Sequence, residues 1–374
     1  MATVELIGDD CYGQLIRYME SNKIKRILLV AGSSQNNSVV RQLLQDIKSR
    51  LDAQIVTFSE YTPNPTYEEA VAGVEMFRGN GCDAVMAIGG GSAIDIAKCI
   101  KLFSAMDPGD SYLNRKGVQS NTKLIAIPTT AGTGSEATHF AVIYYKGEKQ
   151  SVTDMSLIPD AVVLDPQLLA TLPAYHKKAG ALDALCHGVE SFWSVNSTEE
   201  SKAYSREAIR LVIDNAEGFL KNEEAATYSM LRAANLAGKA INIAKTTAAH
   251  AMCYRLTTLY GLAHGHSAAL CLSELWPFME KHQDKCRDFR GKDYLREAFK
   301  ELDIIFEYKG VHGSIAFRQF LSDMELQRPR YDGEKDLKAL TESVNEQRMM
   351  NNPIMLSEED IREIYGLLFV KAIW

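Results

Sequence analysis

The sequence predicts an α/β domain followed by an all-α domain. Three observations carry this expectation. Residues 1–165 alternate short apolar runs with helix-like segments. Beyond Pro166 strand signals nearly vanish and long, Ala-rich helical patterns take over. A chain of 374 residues suits two domains, here expected as 1–165 and 166–374.

The strands come first. "RILLVAG" (26–32), "AQIVTFS" (53–59), "AVMAIGG" (84–90), "KLIAIPTT" (123–130) and "AVVLDP" (161–166) are apolar runs, mostly closed by small or turn residues. Near-continuous apolar runs of this length suit strands buried on both faces of a parallel sheet. Between them "SVVRQLLQDIKSRL" (38–51), "TYEEAVAGVEMFRGNG" (66–81) and "SAIDIAKCIKLFSAM" (92–106) read as helices. The alternation predicts a doubly wound sheet. In the second half, "STEESKAYSREAIRLVIDNAEGFLKN" (197–222) opens with Ser197 and Glu200 in capping-box spacing. Residues 223–256 form one long helical pattern, with a break expected near Gly238 or Thr246.

Composition narrows the function classes. The chain is 46% hydrophobic and 24% charged, ordinary for a globular protein. Its net charge is −7 and it has no Lys/Arg-rich run, which argues against a nucleic-acid partner. It lacks an 18-residue apolar stretch, and its N-terminus lacks a basic region followed by an apolar one. No membrane span is expected, and a cytoplasmic location is. The seven cysteines are scattered and form no CxxC pair, as in a chain kept reduced.

Two loops carry the first chemical signal. "AIGGGSAIDIAK" (87–98) sets Gly89, Gly90 and Gly91 between a strand and a helix. Without Cβ atoms the backbone approaches a ligand closely, and amides at the helix N-terminus favour a pyrophosphate. The plainer reading is a tight turn, and the spacing is not GxGxxG. "IPTTAGTGSEAT" (127–138) offers the hydroxyls of Thr129, Thr130, Thr133 and Ser135 to phosphate, ribose or amide groups, or is a polar surface loop. Two such loops in one α/β domain favour nucleotide binding.

The second signal is "ALDALCHGVES" (181–191). Asp183 and His187 are four apart and share a helix face that should be buried. Three of the eight histidines, His250, His264 and His266, fall within residues 248–270. Asp183, His187, His250 and His264 together suit a divalent first-row metal such as Fe(II) or Zn(II). Alternatively, Asp183 pairs locally and the histidines are satisfied core residues.

"GGGSAIDIAK" (89–98), "PTTAGTGSEAT" (128–138), "LIPDAVVLDP" (157–166), "AGALDALCHGVES" (179–191) and "HAMCYRLTTLYGLAHGH" (250–266) resemble, in order, the motifs of the iron-containing (group III) alcohol dehydrogenases. The resemblance runs over nearly the whole chain. It implies a dehydroquinate synthase-like fold, with an N-terminal dinucleotide-binding α/β domain, a C-terminal helical domain and a metal in the cleft between them. By motif the ligands fall on Asp183, His187, His250 and His264, with Fe(II) or Zn(II) as the ion. The cofactor, NADPH or NADH, falls to Gly89, Gly90, Gly91, Ser92 and Asp95 on the pyrophosphate side, and to Thr129, Thr130, Thr133, Ser135 and Lys149 toward the ribose and nicotinamide. The implied substrate is a small aldehyde or alcohol, and the implied assembly a homodimer.

Within the family, residues 190–205 and 246–257 look most like the phosphonoacetaldehyde reductases. Two positions depart from the family pattern. Tyr254 stands where many members carry a proton-relaying His, so Tyr254 or His266 is expected to pass the proton. Gly32 and Ser33 stand where NAD-dependent members often carry an Asp, so the 2′-phosphate of NADPH would meet no like charge. Arg255 is expected to bind the substrate anion, provided the helix carrying His250 breaks before it. Three rival functions remain. One is a general alcohol, lactaldehyde or propanediol dehydrogenase. Another is a dehydroquinate synthase-type lyase. The third is a metal- or nucleotide-binding protein without turnover.

Overall fold

The apolar runs of the first half pair side by side, all in parallel. The computed structural model describes residues 3–107, 111–114, 120–306, 311–344 and 349–370, and the chain divides into two units, Met1–Leu172 and Pro173–Trp374. The strands of the first unit are β1 (Val4–Ile7), β2 (Arg26–Ala31), β3 (Gln54–Phe58), β4 (Ala84–Gly89), β5 (Lys123–Pro128), β6 (Phe140–Tyr145), β7 (Glu148–Thr153) and β8 (Ala161–Leu164). Six of them form one sheet in the order β1-β8-β5-β4-β2-β3. Every residue of β4 and β8 is buried, which explains why those runs contain no polar residue. Helices α1 (Cys11–Ser21), α2 (Ser38–Leu51), α3 (Tyr67–Gly79) and α4 (Gly91–Ser104) fill the crossovers.

Sequence reading missed β1 and the antiparallel β6–β7 hairpin. β1 is a four-residue edge strand, two of whose residues are exposed. The hairpin turns on Lys146 and Gly147, with φ of 52° and 80°, the left-handed pair that a two-residue hairpin turn requires. Its second strand, "EKQSVT", has no buried residue and so no apolar signature.

The order of the strands locates a ligand site. The chain runs from β2 outward to β3 and returns to β4 on the other side of β2. In such sheets ligands bind outside the carboxyl ends of the strands, where the winding reverses. Here those ends are Gly32 after β2 and Gly89–Gly91 after β4. The Ser34 hydroxyl ties them together by donating to the Ile88 carbonyl at 2.5 Å.

The described residues of the second unit contain no strand. Its helices are α5 (Ala174–Trp193), α6 (Glu199–Leu220), α7 (Glu224–Ala244), α8 (Ala248–Tyr260), α9 (His264–Lys281), α10 (Lys292–Ile305), α11 (Gly313–Asp323), α12 (Gly333–Thr341) and α13 (Glu358–Val370). The capping box of α6 sits one residue later than expected: Thr198 Oγ1 accepts from Ser201 N, and Ser201 Oγ accepts from Thr198 N. The long Ala-rich pattern breaks at 245–247, not at Gly238, which lies inside α7. Lys245 there has φ 61° and ψ 166°, a backbone region that almost only glycine tolerates. No helix among the described residues is long and apolar enough to cross a membrane.

Candidate metal centre and cofactor loops

Helix α5 is buried along most of its length, and one stripe of it carries charge. Asp183, His187 and Glu190 fall at i, i+4 and i+7, so they share a face, and all three are buried. His250, in the first turn of α8, meets this stripe. Its ring stacks on that of His187 with centroids 4.4 Å apart. Ligand-capable atoms of Asp183, His187 and His250 all lie within 4.8 Å of one another.

Glu190, which sequence reading missed, fastens His250 to the stripe. It is fully buried. Its Oε1 accepts from Thr247 N at 3.0 Å, Thr247 Oγ1 at 2.8 Å and His250 N at 3.2 Å, and so caps the N-terminus of α8. Its Oε2 takes the Nδ1 side of the His250 ring. Burial alone would raise its carboxyl pKa, but His250 and these donors outweigh it and hold the group below its ordinary range. The stripe spacing i, i+4, i+7 was the available signal.

With Nδ1 engaged, His250 Nε2 points the other way, to within 3.5 Å of Asp183 Oδ1. At that distance the two form an ion pair, and neither has a hydrogen-bond partner among the described residues. Burial also opposes ionisation of Asp183, yet the neighbouring imidazoles hold its pKa far below the ordinary value. Burial works against charge on His250 as well, but Glu190 and Asp183 push its pKa up to about 9. Two buried carboxylates therefore draw positive charge to one point. A divalent cation with oxygen and imidazole ligands fits these donors.

His264 begins α9, half-buried, with its ring centroid 5.3 Å from that of His250. It stands beside the Asp183–His187–His250 group. Gly265 makes this approach possible. A Cβ there would lie 2.1 Å from the Ala179 carbonyl oxygen and 2.5 Å from Asp183 Cβ, so only glycine lets α9 start against α5. Tyr254 stacks on His264 at 5.3 Å. His266 is buried, its Nδ1 3.4 Å from the Tyr175 hydroxyl, and burial pushes its pKa down to about 4.

Arg255 does not meet its condition. The helix continues unbroken from Ala248 to Tyr260, and Arg255 is exposed on it. Five residues is about 500° of helix, so it points about 140° away from His250. The break comes before His250 instead, at Lys245, which is exposed. That turn is pinned from two sides: Ser194 Oγ donates to Ala244 O at 2.6 Å, and Asn351 Nδ2 to Thr246 O at 3.1 Å.

In the first unit the two small-residue loops pack against each other. A Cβ on Gly90 would lie 3.2 Å from Thr130 Cγ2, and one on Gly91 3.0 Å from Thr133 Cγ2. Thr129 N donates to Gly89 O at 3.0 Å. Ser92, in the first turn of α4, accepts from Asn64 N at 3.4 Å. Gly32 and the exposed Ser33 follow β2, and Lys149 lies on β7 opposite Tyr144. Two expected cofactor residues are engaged within the protein. Asp95 accepts from Ser135 Oγ and from Val142 N. The buried Lys98 donates to Ser135 O at 2.6 Å, Thr138 Oγ1 at 2.8 Å and Phe140 O at 2.8 Å. Asp95, Lys98 and Ser135 thus brace the second loop from beneath.

Comparison with known proteins agrees with this anatomy. Residues 3–166 match the family model described as iron-containing alcohol dehydrogenase, and residues 177–369 that of the C-terminal part of the same family. The chain is 31% identical over 340 residues to a phosphonoacetaldehyde reductase of Streptomyces viridochromogenes, covering 86% of this chain and 85% of that protein. It is 30% identical over 331 residues to long-chain-alcohol dehydrogenase 1 of Geobacillus thermodenitrificans, covering 84% and 82%. Among solved structures, the alcohol dehydrogenase of Oenococcus oeni superposes with a TM-score of 0.87 at 25% identity, covering 99% of each chain.

Proposed function

This chain belongs to the iron-containing alcohol dehydrogenase family, and we propose that it uses NAD(P)H to reduce a small anionic aldehyde, phosphonoacetaldehyde, to its primary alcohol. The observation that carries the reading is the buried Asp183–His187–His250 group, in which Asp183 Oδ1 and His250 Nε2 face each other at 3.5 Å without a hydrogen bond on either atom among the described residues. Those three residues, with His264 alongside, would hold Fe(II), or Zn(II). When bound, the metal polarises the substrate carbonyl and the nicotinamide supplies the hydride.

The chain's own residues do the rest. Gly89, Gly90, Gly91 and Ser92 offer a bare backbone and the N-terminus of α4 to the pyrophosphate, and Thr129, Thr130, Thr133 and Lys149 offer donors beyond it. Tyr254, half-buried and stacked on His264, passes the proton to the product oxygen. His266, neutral and in the core, keeps Tyr175 in position. The phosphonate reading draws on the 31% relative and on one further fact. The two stretches that most resemble that subgroup bond to each other beside His250, through Trp193 to Thr247 at 3.1 Å and Glu190 to Thr247 and His250. We assign the anion's charge to Lys245, held in its strained turn there, rather than to Arg255.

An aldehyde panel followed by NADPH and NADH consumption tests this on the Fe(II)-loaded protein. Phosphonoacetaldehyde should give the highest kcat/KM, and Lys245→Ala should raise its KM while leaving propionaldehyde unaffected. A preference for propionaldehyde overturns the phosphonate reading. For the cofactor, Gly32 has φ −86° and its Cβ would meet only the Tyr61 hydroxyl at 3.5 Å, so Gly32→Asp is sterically tolerable. It should shift use from NADPH toward NADH, and an unchanged ratio counts against NADPH.

A further inference from the structure

We infer that Glu190 is a positioning residue for the metal: it fixes which nitrogen of His250 carries a proton and which carries the lone pair that faces Asp183. The inference rests on the metal reading above and adds a residue to it. Each polar atom of Glu190 has a defined task. Oε1 is saturated by Thr247 N, Thr247 Oγ1 and His250 N, which fixes the carboxylate as an anion at the head of α8. Among the described residues Oε2 is left with a single partner, the His250 Nδ1. A carboxylate can only accept, so Nδ1 must donate. The neutral, metal-binding form of His250 is then the tautomer with its lone pair on Nε2, the nitrogen that lies 3.5 Å from Asp183 Oδ1.

Geometry adds a second effect. Both ends of the clamp are anchored on helices. Glu190 sits on α5 with Asp183 and His187, and His250 is held by its amide as well as its ring. The stripe on α5 therefore sets the separation between its own two ligands and the third. Glu190 also brings a second negative charge, so that with Asp183 it balances a dication. Carboxylates that hold a ligating imidazole in this way change metal affinity about 10–100-fold when they are removed.

The informative variant is Glu190→Gln. A Gln can keep its carbonyl on the three donors at the head of α8, but it then turns an NH2 toward His250 Nδ1. That forces the proton of the neutral ring onto Nε2, so an N–H faces the metal position. The measurement is the dissociation constant for Zn2+ alone, by competition with a chromophoric chelator, on wild type and variant. The expected result is about a 10–100-fold weaker constant in the variant with its circular dichroism spectrum unchanged. A variant that binds Zn2+ as tightly as wild type overturns the inference. Should Glu190→Gln not fold, nitrogen-15 NMR of the zinc-loaded wild type decides. A retained proton on His250 Nδ1 with zinc on Nε2 supports the assignment, and zinc on Nδ1 overturns it. A wild-type chain that binds no Zn2+ or Fe2+ at all overturns the metal reading itself, a result distinct from equal binding by the two proteins.

Discussion

Lys98 and Asp183 are both buried charges on the first helix after a small-residue turn or unit boundary, and they are answered in opposite ways. Around Lys98 the protein completes its own accounts. The ammonium donates to two carbonyls and two hydroxyls, with Asp95 nearby as counter-charge. Around Asp183 it does not. Asp183 Oδ1 faces His250 Nε2 at 3.5 Å, and neither atom has a hydrogen bond among the described residues. A buried charge with a full set of protein partners is architecture. One whose partners converge on a shared point without bonding is built for a cation from outside the chain. Burial alone does not distinguish the two; the destination of each lone pair does.

The largest effect that would sharpen this contrast is at Asp183. Asp183→Asn removes the charge but not the shape. Turnover should be lost outright, with metal content near zero by mass spectrometry of the purified protein. A variant that keeps its metal and its turnover would put Asp183 in the same class as Lys98.

Lys98→Met is the mirror experiment. It strips donors from the carbonyls of Ser135 and Phe140 and removes the counter-charge near the half-buried Asp95. Each buried acceptor left unsatisfied costs about 1–3 kcal/mol. Unfolding should show that loss with or without metal, since nothing in the Lys98 network waits for a ligand. A stability loss that appears only when metal is removed would undo the comparison.

How much of this could be read in advance follows from where each partner lies in the chain. Asp183 and His187 were legible because a helix repeats every 3.6 residues and the two are four apart. The glycine turn after β4 was legible because a strand and a helix flank it. Glu190 was not, although it shares the stripe, because its task depends on the head of α8, 57 residues further on. Arg255 was misjudged for a related reason. The Ala-rich pattern does break, but at 245–247, before His250, so the cation that sits at the break is Lys245. The engagement of Asp95 with Ser135 and Val142 is a tertiary fact that spacing along the chain cannot carry.

Gly265 tests whether the metal cluster also depends on close backbone approach. An Ala there puts its Cβ 2.1 Å from the Ala179 carbonyl oxygen, which lies on a helix that cannot easily yield. Overpacking of this kind costs about 3 kcal/mol. α9 should be displaced from α5, taking His264 with it. Metal affinity should therefore fall together with the melting temperature in Gly265→Ala, whereas Gly79→Ala, at the end of α3 where no atom lies within 4 Å, should leave metal affinity alone. Equal metal binding by the two variants would remove His264 from the site.

The smallest expected effect concerns a charge that sits between the two extremes. Asp160 is partly exposed and holds the lower edge of the sheet, accepting from Lys101 Nζ at 3.0 Å, Lys123 Nζ at 2.9 Å and Leu124 N at 3.0 Å. Burial would raise its pKa, but the Leu124 amide and the two ammonium groups outweigh this and hold it below the ordinary carboxylate value. Between the lowered folded value and the ordinary unfolded one, the unfolded chain binds more protons than the folded one. The stabilisation is therefore complete above the ordinary carboxylate pKa and is lost as pH falls through the folded value. Asp160→Asn should cost about 1.5 kcal/mol at neutral pH, the value of a hydrogen bond to a charged group. The gap between variant and wild type should close as the solution is acidified. Urea midpoints across an acid series measure it, and a gap that stays constant with pH would show that the carboxylate acts through shape rather than charge.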